Sequence, residues 1–110
     1  MRTSEISHGV ILLAASLALA ASATRARAGA DEGKALYEQK CKICHSVGGD
    51  GGKMADKGGP LDKVGTKRDA KWLREYLQDP KSKNPESKMP KMKLSDKELD
   101  DLVAFLLTLK

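Results

Sequence analysis

Both cysteines of the chain and one of its two histidines fall within five residues, Cys41-Lys42-Ile43-Cys44-His45. Two thiols three positions apart, followed at once by an imidazole, form the C-x-x-C-H pattern of covalent haem attachment. The two thiols add to the two vinyl groups of one porphyrin, and one helical turn brings them to adjacent corners of the ring. His45 then falls beneath the iron as the proximal ligand. Three other uses of these residues compete. A thioredoxin-like redox pair sits in a βαβ pattern, which this chain lacks. A structural zinc site needs four ligands, and no second Cys or His lies downstream of His45 to supply them. A disulfide between Cys41 and Cys44 would close so short a loop that it stabilises little.

A haem of this kind calls for a sixth ligand far downstream, and the candidates are Met54, Met89 and Met92. Thioether sulfur is a soft ligand that raises the reduction potential, as electron-transfer haems require. Met89 is preferred. It stands in a proline-rich loop, where its side chain can be turned across the haem, and Pro90 stiffens that loop. Met92 is the runner-up; Met54, among glycines, is the weakest.

The elements that must position these residues follow from patterning. Residues 1–30 hold 17 of the chain's hydrophobic residues, whereas from Asp31 onward 27 of 80 are hydrophobic. A domain so short of apolar material needs a cofactor, metal or disulfide to complete its core. The uncharged run from Val10 to Ala23 is 14 residues long. That is short of the roughly 20 that span a bilayer, and it matches the apolar segment of a signal peptide. Small-x-small triplets place cleavage after Ala28 or Ala30, so residues 1–28 read as an export leader and 31–110 as the working domain, with an uncleaved anchor as the alternative. Removal of residues 1–30 takes away three arginines and Glu5, which lowers the net charge from +5 to +3. So mild and mixed a balance argues against nucleic-acid binding.

The remainder reads as all-α, with three helices between glycine- and proline-rich loops and no alternating segment that would make a sheet. Asp31 can cap the first helix, whose Gly33, Tyr37, Cys41 and Cys44 share one face. The stretch 46–66 carries seven glycines and no helical period. A loop so long usually wraps something. Asp69 caps a second helix with Trp72, Leu73, Tyr76 and Leu77 on one stripe, and Pro80 stops it. Ser95 and Glu98 form a capping box for a third helix, with Leu99, Leu102, Val103, Phe105, Leu106 and Leu109 on its apolar face.

With these residues in place, the chain from Gly33 to its end resembles the small monohaem class I cytochromes c of bacteria. The resemblance rests on C-x-x-C-H, Met89-Pro90 and the Leu94-Ser95-Asp96 helix start. It implies a cytochrome c-like fold wrapped around one haem c, held covalently by Cys41 and Cys44 and ligated by His45 and Met89. It further implies that Gly33 and Tyr37 pack on Leu102, Phe105 and Leu106 of the last helix. In Gly59-Pro60 the carbonyl of Pro60 would accept the second ring N–H of His45 and raise its basicity. Trp72 would bury the haem and reach a propionate, with Arg68 as a weaker propionate partner.

The expected function is that of a periplasmic one-electron carrier, because no convincing set of catalytic side chains accompanies the haem motif. Lys42, Lys53, Lys88, Lys91 and Lys93 flank the haem-binding motifs and can steer acidic redox donor and acceptor proteins toward a monomeric carrier. The competing expectations are the electron-accepting subunit of a periplasmic oxidoreductase complex and a haem sensor of small ligands.

Overall fold

The computed structural model describes residues 28–110. The export leader expected over 1–28 lies outside them, Ala28 apart. The helix α1 covers residues 28–40, followed by β1 (Ser46–Val47), β2 (Asp50–Gly51), α2 (Ala55–Gly58), α3 (Val64–Lys67), α4 (Ala70–Gln78), α5 (Pro80–Lys83) and α6 (Asp96–Leu107). The fold is mostly helical, and α1, α4 and α6 are the three helices expected from periodicity.

Three details depart from expectation. The segments taken as loops contain the one-turn helices α2, α3 and α5, each four residues long. A single turn is too brief to display a 3.6-residue period. A small antiparallel ladder also pairs Ser46 with Gly51 and Val47 with Asp50. Its tight turn places Gly48 and Gly49 at φ of 60° and 80°, the left-handed conformation that a two-residue hairpin demands. Finally, Asp31 does not cap α1, which is already helical from residue 28. Gly29 lies against α6, where an added Cβ would stand 3.3 Å from Asp101 Oδ1. Asp31 therefore lies inside α1 rather than at its cap.

The other helix boundaries follow their sequence signals. Asp69 accepts the Trp72 N–H at 2.8 Å, α4 ends at Gln78, and Pro80 serves as the first residue of α5, where its missing N–H costs nothing. In α6 the Glu98 N–H donates to Ser95 Oγ at 3.1 Å, and the Ser95 N–H donates to Glu98 Oε1 at 3.0 Å. These bonds hold the Glu98 carboxyl below the usual range, the Ser95 backbone amide first and its hydroxyl second. Leu99, Leu102, Val103, Phe105 and Leu106 of α6 are buried together with Tyr37, Cys41, Leu73 and Leu77. Leu109 lies beyond the helix, half-buried, and its carbonyl accepts the Gly65 N–H at 2.7 Å, which ties α3 to the C-terminus.

The crossing of α1 and α6 is very close. A Cβ on Gly33 would meet the Asp101 carbonyl oxygen at 1.9 Å, so no side chain fits. Beside it the Tyr37 and Phe105 rings stand 5.5 Å apart, tilted by 41°. Lys97 binds Asp101 Oδ2 at 2.7 Å and also pairs with Glu32 across the crossing. Lys97 in turn holds the Asp101 carboxyl below its ordinary range.

Candidate cofactor site

The five-residue motif is the turn that ends α1. The Cys41 and Lys42 N–H groups donate to the Tyr37 carbonyl at 2.8 and 3.0 Å, and those of Cys44 and His45 to the Cys41 carbonyl at 3.1 and 3.0 Å. Cys41 is buried, Cys44 is half-buried, and the two thiols are unlinked, so the structure holds no disulfide there. Burial pushes the Cys41 thiol up to about 11, with Lys40 opposing and Cys44 adding to the rise. At neutral pH Cys41 is therefore a protonated thiol.

The imidazole of His45 has a defined orientation. Its Nδ1 lies 3.1 Å from the Gly59 carbonyl oxygen. A carbonyl can only accept, so Nδ1 carries a proton, and it is the neutral ring whose Nε2 offers a lone pair. The acceptor is thus Gly59, not Pro60 as the resemblance implied. Pro60 is bridged in parallel to Ser46, with the Ser46 N–H donating to Gly59 at 3.4 Å and the Leu61 N–H donating to Ser46 at 2.9 Å. In this bridge Ser46 bonds through its own N–H and C=O to the two residues that flank Pro60, so the Pro60 carbonyl takes no part. The φ of 79° at Gly59 completes the turn that presents its carbonyl to the ring.

His45 opens onto a cavity of about 240 Å³ lined by Cys41, His45, Gly58, Leu61, Val64, Lys67, Arg68, Trp72, Leu73, Tyr76, Leu77, Met89 and Leu106. Of the residues singled out in the sequence, Cys41, His45, Met89, Trp72 and Arg68 meet here. Cys44 and Pro60 do not line it. Met92 packs against the core, while Met54 is exposed. Leu61, Val64, Lys67 and Gly58 had no signal to find them, because they lie on one-turn helices and their connections. Tyr76 had one: it follows Trp72 by four residues on the same helix face.

Arg68, Trp72 and Tyr76 form a continuous stack along α4. The Arg68 guanidinium lies 4.1 Å from the Trp72 ring centre, and the Trp72 and Tyr76 rings are 4.8 Å apart and 10° from parallel. The stack leads to Met89. Tyr76 Oη is 3.0 Å from the buried Ser87 Oγ, which accepts the Met89 N–H at 3.3 Å. Since Ser87 Oγ accepts there, its own hydrogen is available to Tyr76. Three residues further on, the Met92 N–H donates to the Leu77 carbonyl at 2.9 Å. The segment that carries Met89 is thereby fastened to α4 on both sides of the methionine.

Among the described residues no group of three or more His, Cys, Asp or Glu side chains is placed to hold a metal ion. No described helix is long and apolar enough to cross a membrane. Of the flanking lysines, Lys53, Lys88, Lys91 and Lys93 are exposed, whereas Lys42 is half-buried and pairs with Asp50 at 2.9 Å.

A family model described as Cytochrome c matches residues 30–110. No curated protein and no solved structure gives a significant match to the chain.

Proposed function

The chain belongs to the cytochrome c family, and on that premise we propose that it is a periplasmic one-electron carrier, with one haem c joined to Cys41 and Cys44 and ligated by His45 and Met89. Family membership implies a covalently bound haem c and electron transfer. The observation that carries the assignment of residues is their convergence: His45, Met89 and Cys41 line one cavity, and the Gly59 carbonyl engages Nδ1 of His45, leaving Nε2 as the ring nitrogen for the iron.

The cavity suits the group. Leu61, Val64, Leu73, Leu77 and Leu106 offer apolar walls to a flat macrocycle, and Lys67 and Arg68 in the same lining suit its two carboxylates. When bound, haem iron supplies the one-electron ferric and ferrous couple. The chain's own groups tune it. The Gly59 carbonyl keeps the proton on Nδ1, which makes Nε2 a stronger donor. Met89 offers a soft sulfur that raises the potential. With both His45 and Met89 holding the iron, small molecules would gain no open position, which would favour transfer of electrons over binding or catalysis. Trp72 and Tyr76 cover apolar space that water would otherwise enter.

The leader over residues 1–28 directs this monomeric carrier to the periplasm, where a docking partner of acidic surface would meet exposed Lys53, Lys88, Lys91 and Lys93. Lys42, paired with Asp50, contributes less to that attraction than its place in the motif suggested. An optical spectrum of the exported protein in both redox states tests the assignment. The expected result is a c-type spectrum whose weak methionine-to-ferric-iron band is lost in Met89→Ala and kept in Met92→Ala. Loss of the band in Met92→Ala alone would overturn the choice of ligand.

A further inference from the structure

We infer that Gly58 is a positioning residue for the His45 imidazole, required to be glycine by the Cys44 carbonyl and the iron ligand packed against it rather than by its own backbone angles. The inference rests on His45 being that ligand. A Cβ built on Gly58 would stand 2.0 Å from the Cys44 carbonyl oxygen, 2.7 Å from His45 Cε1 and 2.8 Å from His45 Nδ1. Real Cβ atoms essentially never approach a heavy atom within 3.0 Å, so something must shift.

Neither neighbour can yield cheaply. The backbone around Cys44 is pinned, with the His45 N–H on the Cys41 carbonyl at 3.0 Å and the Met54 N–H on the Ile43 carbonyl at 2.9 Å. The ring is held by its bond to Gly59, the residue next to Gly58. Gly58 closes α2, and the Gly59 N–H donates back to the Ala55 carbonyl at 2.9 Å, so the segment is itself anchored. One short stretch therefore both packs against the imidazole and accepts its proton. Gly58 has no left-handed φ to explain it, since the described glycines with positive φ are Gly48, Gly49 and Gly59. Its want of a side chain is explained by the space that the Cys44 carbonyl and the His45 ring together occupy.

The test compares Gly58→Ala with Gly65→Ala in the haem-loaded protein. Gly65 is also too tightly packed for a side chain, its Cβ falling 2.5 Å from the Leu107 carbonyl oxygen, but its nearest neighbours are Leu107 and Leu109 rather than His45. Both variants should lose stability. Only Gly58→Ala should alter the potential: a displaced ring is a poorer donor to ferric iron, and a tenfold loss of ferric over ferrous ligation raises the potential by about 59 mV. Equal potentials in the two variants would overturn the inference. Should Gly58→Ala fail to load haem, the wild-type reduced protein decides: a nuclear Overhauser contact between a Gly58 Hα and the His45 ring Hε1 is expected, and its absence would overturn the inference as well. A wild type lacking a c-type spectrum would instead sink His45 as the ligand.

Discussion

Two halves of the molecule solve the packing problem in opposite ways. Where α1 crosses α6, the elements touch backbone to backbone at Gly33 and the space between is filled by Tyr37, Leu99, Leu102 and Phe105. Between α4, the 46–69 segment and the chain around Met89, apolar walls instead surround a cavity of about 240 Å³. The first half is held by side-chain burial. The second shares buried Leu73, Leu77 and Leu106 with that core and is further tied by backbone hydrogen bonds, such as the Gly52 N–H on the Lys42 carbonyl at 2.7 Å and the Met92 N–H on the Leu77 carbonyl at 2.9 Å. A small chain can thus keep one dense region as a scaffold and leave another shaped for a group that the polypeptide does not supply.

This division can be broken experimentally, most severely at the motif. His45→Ala, or Cys41→Ala with Cys44→Ala, should leave the exported chain without a stable haem. The double variant in particular should show no haem absorbance surviving denaturation and extraction. On the other side, Leu102 is fully buried, and Leu102→Ala should lower the unfolding free energy by about 2–5 kcal/mol in a denaturant titration. Its haem spectrum should not change; a changed spectrum would mean that the two halves do not separate.

A milder perturbation sharpens the contrast within the cavity half. Ser87→Ala strips Tyr76 and the Met89 N–H of a buried partner, which should cost about 1–3 kcal/mol. Unlike Leu102→Ala, it should also weaken the methionine-to-ferric-iron band, because it loosens the segment that carries the ligand. The smallest effect is expected at the rim of the crossing. Lys97 depresses the Asp101 carboxyl, so this contribution is present above the ordinary carboxylate value of about 4 and is lost as pH falls through the lower folded value. Wild type and Asp101→Asn should therefore differ slightly in stability at neutral pH and converge in acid, and added salt should shrink the difference.

Much of the scaffold half was legible because it depends on local rules. Asp69 and the Ser95 and Glu98 pair mark helix starts by satisfying free amides, and the apolar spacing of α6 names the residues that it buries. The cavity half was legible only in part. Cys41, His45 and Met89 could be named from residue type and motif, and Trp72 and Arg68 from the family resemblance, whereas Leu61, Val64 and Lys67 sit on or beside single-turn helices that carry no readable period. Asp31 does not cap α1, because the described residues before it are already helical where Gly29 meets α6, far away in sequence.

The chemistry of this chain was written in the order of its residues. Two thiols and an imidazole in five positions, and a methionine beside a proline, specify reactive groups whatever the fold around them, because covalent spacing is local. Orientation was not written there. Which carbonyl fixes the His45 proton depends on how residues 59–61 bridge to Ser46, and that Gly58 must stay bare depends on where the ring comes to rest. Contacts between segments distant along the chain are settled only when the whole chain has packed, and here they decide which lone pair faces the cavity.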